Sequence, residues 1–203
     1  MDEIGLFPLG IVLLPGERIP LHIFEPRYRE LIGECLQRGV PFGLVFADES
    51  GMRGVGTEAA VVEVSHRFED GRLNIVVEGR KRFQLVQLTG GRSFTTAEVA
   101  ALPDEGDEPA PAELERSLAA YRALAVELDL EPQQLDTGGG GTAFQIAASV
   151  DFGVEAKQRL LELRSERERV LLLSELLERA TAAVRNERAL RERASTNGRV
   201  TPT

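Results

Sequence analysis

Few residues of this sequence have the types and spacing that catalysis requires. The only cysteine, Cys35, could form a thiol–imidazole pair with one of the two histidines, His22 or His66. Cys35 falls on the apolar face of a predicted short helix, however, where a free cysteine usually packs as a small hydrophobic residue. The two lysines, Lys81 and Lys157, stand in no recognisable nucleophile motif. Because no nucleophile, base and oxyanion donors converge, we predict a protein that is not an enzyme.

Candidate sites for a metal, a cofactor or a phosphate group are equally weak. The two histidines have no nearby cysteine or carboxylate at metal-ligand spacing. The glycines at 138–141 are followed by Thr142 rather than by the lysine of a phosphate-binding loop, which favours a flexible linker. The acids between Asp104 and Glu108 could bind a cation weakly, but are predicted to form a solvated linker. We therefore expect neither a cofactor nor a metal.

The charge balance restricts the partners. The sequence has 24 Lys and Arg against 33 Asp and Glu, a net charge of −9 that opposes binding to phosphate backbones or anionic lipid. Two basic clusters, at 80–82 and 185–199, carry no interleaved aromatic residues on which bases could stack. The start, Met1-Asp2-Glu3, is acidic where a signal peptide is basic, and no apolar run approaches the length of a membrane span. We expect a cytoplasmic protein that makes no membrane contact and is unsuited to nucleic acid.

A β-rich first lobe, residues 1–102, must position the remaining candidates. Short apolar runs between turn residues predict strands near 4–8, 19–24 and 41–47 and a meander through 61–102. Pro26 and Gly39 suit the first position and the C-terminal cap of a helix between them. Asp70-Gly71 predicts a hairpin with a type I′ turn. The lobe is thus predicted to be a small antiparallel β-barrel with one inserted helix.

The second lobe, residues 112–194, is predicted to be a helical bundle, which makes the fold class α+β. An acidic, proline-rich linker at 103–111 precedes it, and a flexible tail at 195–203 follows. Apolar residues at helical spacing predict four helices, near 112–130, 142–152, 154–163 and 165–193. The apolar seam of the last, long helix is short and can be used inside the bundle, which favours a monomer over a dimer.

The loop-to-helix junction at residues 24–30 is the candidate binding surface. Glu25 precedes the helix, where a carboxylate interacts well with the positive end of the helix dipole. Arg27 and Tyr28 occupy the first turn, where polar-tipped side chains can face outward. We assign the polypeptide-binding surface to Glu25, Arg27, Tyr28 and Glu30. The alternative is purely structural, a salt bridge and cap that hold the helix on the sheet.

Four separated segments resemble, in order, the Lon N-terminal domain family. They are Phe7-Pro8-Leu9 through Leu14-Pro15-Gly16 to Pro20-Leu21-His22-Ile23-Phe24-Glu25-Pro26-Arg27-Tyr28-Arg29, then Val55-Gly56-Thr57, then Asp70 to Phe83, then Lys157-Gln158-Arg159-Leu160-Leu161-Glu162. The resemblance implies that the first lobe is a PUA-like barrel followed by a helical bundle. In full Lon proteases this region precedes an ATPase module and a Ser–Lys peptidase module, and it helps to engage substrates.

The sequence has no Walker motif and no peptidase dyad, so the resemblance implies a free-standing recognition module. Its expected partner is unfolded polypeptide, or a protein partner for which it acts as an adaptor. RNA binding by a PUA-like domain is the alternative. An extended peptide can add to a sheet edge, and five phenylalanines are candidates to line its groove or, alternatively, to fill the core. These are Phe7, Phe24, Phe42, Phe46 and Phe83.

Overall fold

The computed structural model describes residues 2–132, 135 and 141–197, with only the backbone at 192 and 194–197. The described residues form two compact units. The first comprises the residues up to Gly106 together with Phe144–Arg164, and the second comprises those of 107–143 and from Ser165 onward. Each predicted lobe was one continuous segment of the chain. In the structure, residues 144–164 of the predicted helical lobe belong to the unit that holds the sheet.

Six strands and five helices occur in the described residues, and the predicted α+β class is confirmed. The strands are β1 (Asp2–Leu9), β2 (Arg18–Ile23), β3 (Phe42–Asp48), β4 (Gly51–Arg67), β5 (Leu73–Thr89) and β6 (Thr96–Ala101). The helices are α1 (Pro26–Arg38), α2 (Pro111–Glu127), α3 (Thr142–Ser149), α4 (Val154–Glu162) and α5 (Glu166–Asn197). None of these helices combines the length and apolarity needed to cross a bilayer.

The sheet of the first unit has the order β2-β5-β4-β3-β1-β6 and curls until β6 also pairs with β5. The prediction of a wholly antiparallel sheet is wrong at one pairing, because β1 and β3 run parallel from Leu6↔Gly43 to Leu9↔Phe46. Parallel neighbours need a crossover connection. Here β2 and α1 supply it, since they carry the chain away from β1 and return it to β3 in the same direction.

Helix α1 begins and ends where its sequence predicts. Pro26 occupies the first turn, and Gly39 caps the other end in the left-handed conformation at φ 64°, with its N–H bonded to the Cys35 carbonyl. The helix buries Tyr28, Leu31, Ile32 and Cys35, which join an apolar cluster of the sheet. α1 is thereby fixed against the sheet by one continuous apolar face.

The β4–β5 hairpin forms at Asp70-Gly71, but not through the predicted type I′ turn. Such a turn needs positive φ at both central residues. Only Gly71 has one, at 86°. Its N–H donates to the Phe68 carbonyl at 3.0 Å, which closes a four-residue turn with the glycine in last position. Phe68 is the first residue of this turn and therefore lies at the end of the hairpin.

In the second unit, α2 packs along α5. The buried side of α5 carries Val170, Leu173 and Leu177. Ion pairs flank this contact, with Arg116 bonded to Glu178 at 2.9 Å and Arg185 bonded to Glu127 at 2.7 Å. α5 ends four residues beyond the predicted limit at 193. The predicted glycine linker at 138–141, except Gly141, and the predicted tail from 198 onward lie outside the described residues.

Candidate functional site

Three of the four predicted site residues contact one another at the start of α1: Glu25, Arg27 and Tyr28. Together with Phe24 and Glu30, we call them the α1 N-terminal surface. The Glu25 carboxylate accepts hydrogen bonds from Arg27 Nε at 2.9 Å and Nη2 at 2.8 Å. Glu25 makes no side-chain cap of the helix, because its carboxylate is engaged by Arg27. The Arg27 guanidinium lies 4.5 Å from the centre of the Tyr28 ring, a cation–π contact.

Tyr28 itself is a core residue and Glu30 contacts a different element. The Tyr28 side chain is 6% exposed, and its ring stacks on Phe7 at 3.9 Å between centroids. Burial raises the pKa of Tyr28 above its usual value. Glu30 is exposed and accepts a 2.6 Å hydrogen bond from Ser93 Oγ, in the loop after β5. Tyr28 therefore supports Arg27 from below, while Arg27, Glu25 and Glu30 reach solvent.

An aromatic strip continues this surface. It is formed by the exposed His22, Phe24 and His66 and the half-buried Phe68. Phe24 is 59% exposed, and its ring stacks with His22 at 5.9 Å. Phe68 meets His22 edge-on at 5.8 Å and His66 at 4.3 Å. Arg29 of α1 donates to the Asp70 carbonyl at 2.6 Å, which fixes the hairpin turn beside the helix. Both histidines thus belong to the same aromatic strip.

This aromatic strip was not predicted from the sequence. Phe24 was one of five groove candidates, and the other four, Phe7, Phe42, Phe46 and Phe83, are buried in the core. A usable signal was present, because His22 and Phe24 are two residues apart, as are His66 and Phe68. Residues at that spacing share one side of a strand.

The motifs that carried the family resemblance meet inside the first unit, at a set of contacts that we call the motif junction. The loop from Leu13 to Glu17 lies against β5, where Gly16 N–H donates to the Gly79 carbonyl at 2.8 Å. Gly79 N–H donates in return to the Glu17 carbonyl at 2.9 Å. Thr57 Oγ1 donates to the Leu13 carbonyl at 2.6 Å. Three of the four resembling segments are therefore joined by hydrogen bonds around one loop.

The fourth segment, on α4, reaches the same loop. Lys157 Nζ donates to Glu17 Oε1 at 2.7 Å, and Glu17 Oε2 accepts the Leu14 N–H at 2.9 Å. Gln158 Nε2 donates to the Val55 carbonyl at 3.2 Å. Glu17 and Gln158 are buried. The side chains of α4 thus hold the helix against the sheet, which explains why residues 144–164 belong to the first unit.

The basic cluster at 80–82 and the first acids of the linker make contacts within the first unit. Arg82 is buried and bonds to the Leu161 carbonyl at 2.7 Å, to the Leu163 carbonyl and to Asp104. Arg80 pairs with Glu78 at 2.9 Å. Glu105 pairs with Arg164 at 3.2 Å. The linker was predicted to be solvated, but its acids in this unit, Asp104 and Glu105, each have an arginine partner. Of these arginines, the buried Arg82 does most to hold the fold together, because Arg80 and Arg164 are exposed.

The geometry gives little support for catalysis at the one thiol. Burial raises the pKa of Cys35 to about 11, so the thiol stays protonated near neutral pH and is a poor nucleophile. Among the described residues, no three His, Cys, Asp or Glu side chains come together as metal ligands. What the first unit does present is an exposed aromatic and charged surface beside α1.

Comparison with known proteins gives a consistent result. The family model described as the ATP-dependent protease La (LON) substrate-binding domain matches residues 3–179. The structure is similar to the crystal structure of a Lon N-terminal domain protein from Xanthomonas campestris, with a TM-score of 0.67, 25% identity and coverage of 84% of this chain and 95% of that one. It is also similar to the N-terminal domain of the Mycobacterium avium complex Lon protease, with a TM-score of 0.65, 18% identity and coverage of 87% and 98%.

Among full-length sequences, the chain is 29% identical to a Lon protease of Anaeromyxobacter dehalogenans over 188 residues. That alignment covers 83% of this chain and 22% of the relative. The chain spans less than a quarter of the length of the curated relatives that it matches.

Proposed function

This chain belongs to the family of LON substrate-binding domains, and from that membership we propose that it recognises unfolded polypeptide without catalysing a reaction of its own. The resemblance drawn from the sequence motifs is confirmed by the family match. The matched model describes the substrate-binding domain of the protease, which is not its catalytic part. We further propose that the domain works in the cytoplasm, as a monomer, on protein substrates or as an adaptor for a protein partner.

The observation that carries the proposal is the exposure of Phe24 beside a fixed pair of charges. A phenylalanine that is 59% exposed gains stabilisation when another apolar side chain covers it. Unfolded chains expose the apolar side chains that folded proteins bury, so an exposed aromatic strip favours them over folded proteins. The Glu25–Arg27 pair beside Phe24 can take the polar backbone and charged side chains of the same segment.

Arg27 is suited to this role by its support. Its guanidinium is held over the Tyr28 ring and bonded to Glu25, so less side-chain entropy is lost when it binds a partner. The Tyr28 ring is in turn fixed by stacking on Phe7. We assign contact with polypeptide to Phe24, Glu25, Arg27 and Glu30, and a positioning role to Tyr28.

Fluorescence anisotropy of a labelled, reduced and carbamidomethylated protein that cannot refold tests the proposal. Phe24→Ala should weaken binding about tenfold, because it removes roughly 1–1.5 kcal/mol of apolar burial. Leu88→Ala is the matched control, since Leu88 is 52% exposed in the same unit and lies on β5, outside the α1 N-terminal surface and the aromatic strip. Its binding should stay within twofold of wild type.

Arg27→Ala separates the two interpretations of the α1 N-terminal surface. A binding surface predicts weaker binding with an unchanged melting temperature. A purely structural pair predicts a lower melting temperature with unchanged affinity. Equal affinities for wild type, Phe24→Ala and Arg27→Ala would show that polypeptide is not bound at this surface.

A further inference from the structure

A groove of about 640 Å³ opens in the first unit beside the first residues of β1, near the C-terminal half of α1. Its apolar lining comes from β1, α1 and the loop before β6, and includes Ile4, Leu31, Cys35 and Phe94. We call it the β1 groove. It uses none of the residues assigned to the α1 N-terminal surface.

One wall of the β1 groove is an open strand edge. Residues Asp2–Gly5 pair with β6 on one side, whereas pairing with β3 on the other side starts only at Leu6. Leu6 N–H donates to the Thr95 carbonyl at 2.8 Å, on the β6 side. Because N–H and C=O groups alternate in direction along a strand, those of Glu3 point away from β6, and within the described residues no strand pairs with them.

This edge is better suited to a new strand than the edge of β2. β2 pairs with β5 alone among the described strands, and it carries Pro20 in its middle. A proline on an edge removes a donor and is a common way of blocking strand addition. The open segment Asp2–Gly5 contains no proline. The outward N–H and C=O of Glu3 are therefore available to an extended chain.

The rim of the groove carries more acids than bases. Arg92 forms an ion pair with Glu34 across the groove, so that pair is neutral. The remaining charged residues of the lining are three acids and one base: Asp2, Glu3, Glu58 and Arg38. A segment with positive charges at its ends would complement this rim.

We propose that the β1 groove binds an extended polypeptide segment that adds as a strand to the Asp2–Gly5 edge, with alternate apolar side chains on the groove floor and basic residues at its ends. Strand addition takes affinity from the main chain and specificity from pockets for alternate side chains. The inference rests on the proposed function and deepens it, because it names the class of segment and a second place of contact.

The test uses a fluorescein-labelled heptapeptide of alternating threonine and valine between two terminal arginines, titrated with the full chain at low salt. Replacing the terminal arginines by glutamates should weaken binding about tenfold, through loss of several exposed charge pairs. N-methylation of the central peptide bonds should weaken it at least fivefold, since it removes the donors that strand pairing needs.

Two variants separate the backbone contact from the charge. Glu3→Pro removes the outward N–H and the carboxylate together, whereas Glu3→Gln removes only the charge and keeps an acceptor for Thr89 Oγ1. Relative to Glu3→Gln, Glu3→Pro should bind the arginine-ended peptide about fivefold more weakly. Circular dichroism confirms that both variants fold, and the N-methylated peptide tests the same contact on the wild-type chain.

Cys35 gives an independent readout, because the only cysteine of the chain lies in the groove lining. Saturating peptide should slow its modification by N-ethylmaleimide at least fivefold. No binding of the peptide, equal affinities for Glu3→Pro and Glu3→Gln, or unchanged Cys35 modification would each overturn the inference. The titration of the unfolded protein with Phe24→Ala tests the proposed function separately. A negative result with the peptide would therefore overturn only the strand-addition proposal.

Discussion

Replacing Gly79 by alanine should unfold the motif junction, because this glycine lies where the loop from Leu13 to Glu17 touches β5. A Cβ atom at position 79 would be 2.1 Å from the Leu14 carbonyl oxygen and 3.2 Å from Leu13 Cγ. The nearest atom is backbone, so no side-chain rotation relieves the clash. The loop has to retreat by about 1.3 Å before the Leu14 oxygen reaches ordinary contact distance at 3.4 Å.

The cost follows from what that movement breaks. Overpacking of a close contact costs about 1–3 kcal/mol. The two backbone hydrogen bonds between Gly79 and the loop, at 2.8 and 2.9 Å, are each worth about 0.5–1.5 kcal/mol. We therefore expect Gly79→Ala to lower the free energy of unfolding by about 4 kcal/mol, a large part of the roughly 5–15 kcal/mol of a typical domain.

Urea unfolding followed by circular dichroism measures this change, since the chain has no tryptophan. Gly90→Ala is the matched control, because a Cβ there meets nothing within 4 Å and the backbone is not left-handed. It should change the free energy of unfolding by less than about 0.5 kcal/mol. A loss below about 1 kcal/mol for Gly79→Ala would refute the close approach on which the motif junction depends.

Three further predictions concern stability. Gly33→Ala should stabilise the chain by about 0.5–1 kcal/mol in urea unfolding, since Gly33 lies inside α1 and its Cβ meets nothing within 4 Å. Lys157→Met should cost about 3 kcal/mol by leaving the buried Glu17 carboxylate uncompensated, and adding Glu17→Gln should recover at least about 1 kcal/mol of it. Cys35 should destabilise the native state at alkaline pH, because its pKa is raised from 9.0 to about 11 and the unfolded chain loses the proton first. Between pH 9 and pH 11, wild type should lose about 2 kcal/mol of stability relative to Cys35→Ala, as urea titrations at each pH will show; parallel profiles would rule this out.

The elements of the first unit could be predicted where local residues define them. Pro26 and Gly39 mark the ends of α1 because each has the backbone conformation that its position requires. The β4–β5 hairpin was expected for a similar reason, although its turn uses positive φ at Gly71 alone. Local chemistry sets where elements begin and end, which is why these predictions agree with the structure.

Pairings between distant segments could not be predicted in the same way. The parallel alignment of β1 with β3 depends on the path taken by β2 and α1, which no single motif encodes. Nothing in the sequence around Arg82 indicates that it bonds to carbonyls about eighty positions later in the chain. Its burial depends on where α4 lies, and that is a property of the assembled unit.

The candidate site shows the same division. Glu25 and Arg27 are two residues apart, and their pairing could be expected from the sequence. Phe68 contacts both His22 and His66, and so joins β2 to the end of β4, which is far from β2 in the chain. The partners of the aromatic strip lie in separate segments of the chain, so the strip had to be found from exposure and geometry.

The most direct test of the central claim is the anisotropy titration of three probes with the wild-type chain: a permanently unfolded protein, the same protein folded, and a single-stranded RNA. We predict saturable binding to the unfolded probe alone. Saturable binding to the RNA with a steep loss of affinity as salt rises, or no binding to the unfolded probe, would contradict it.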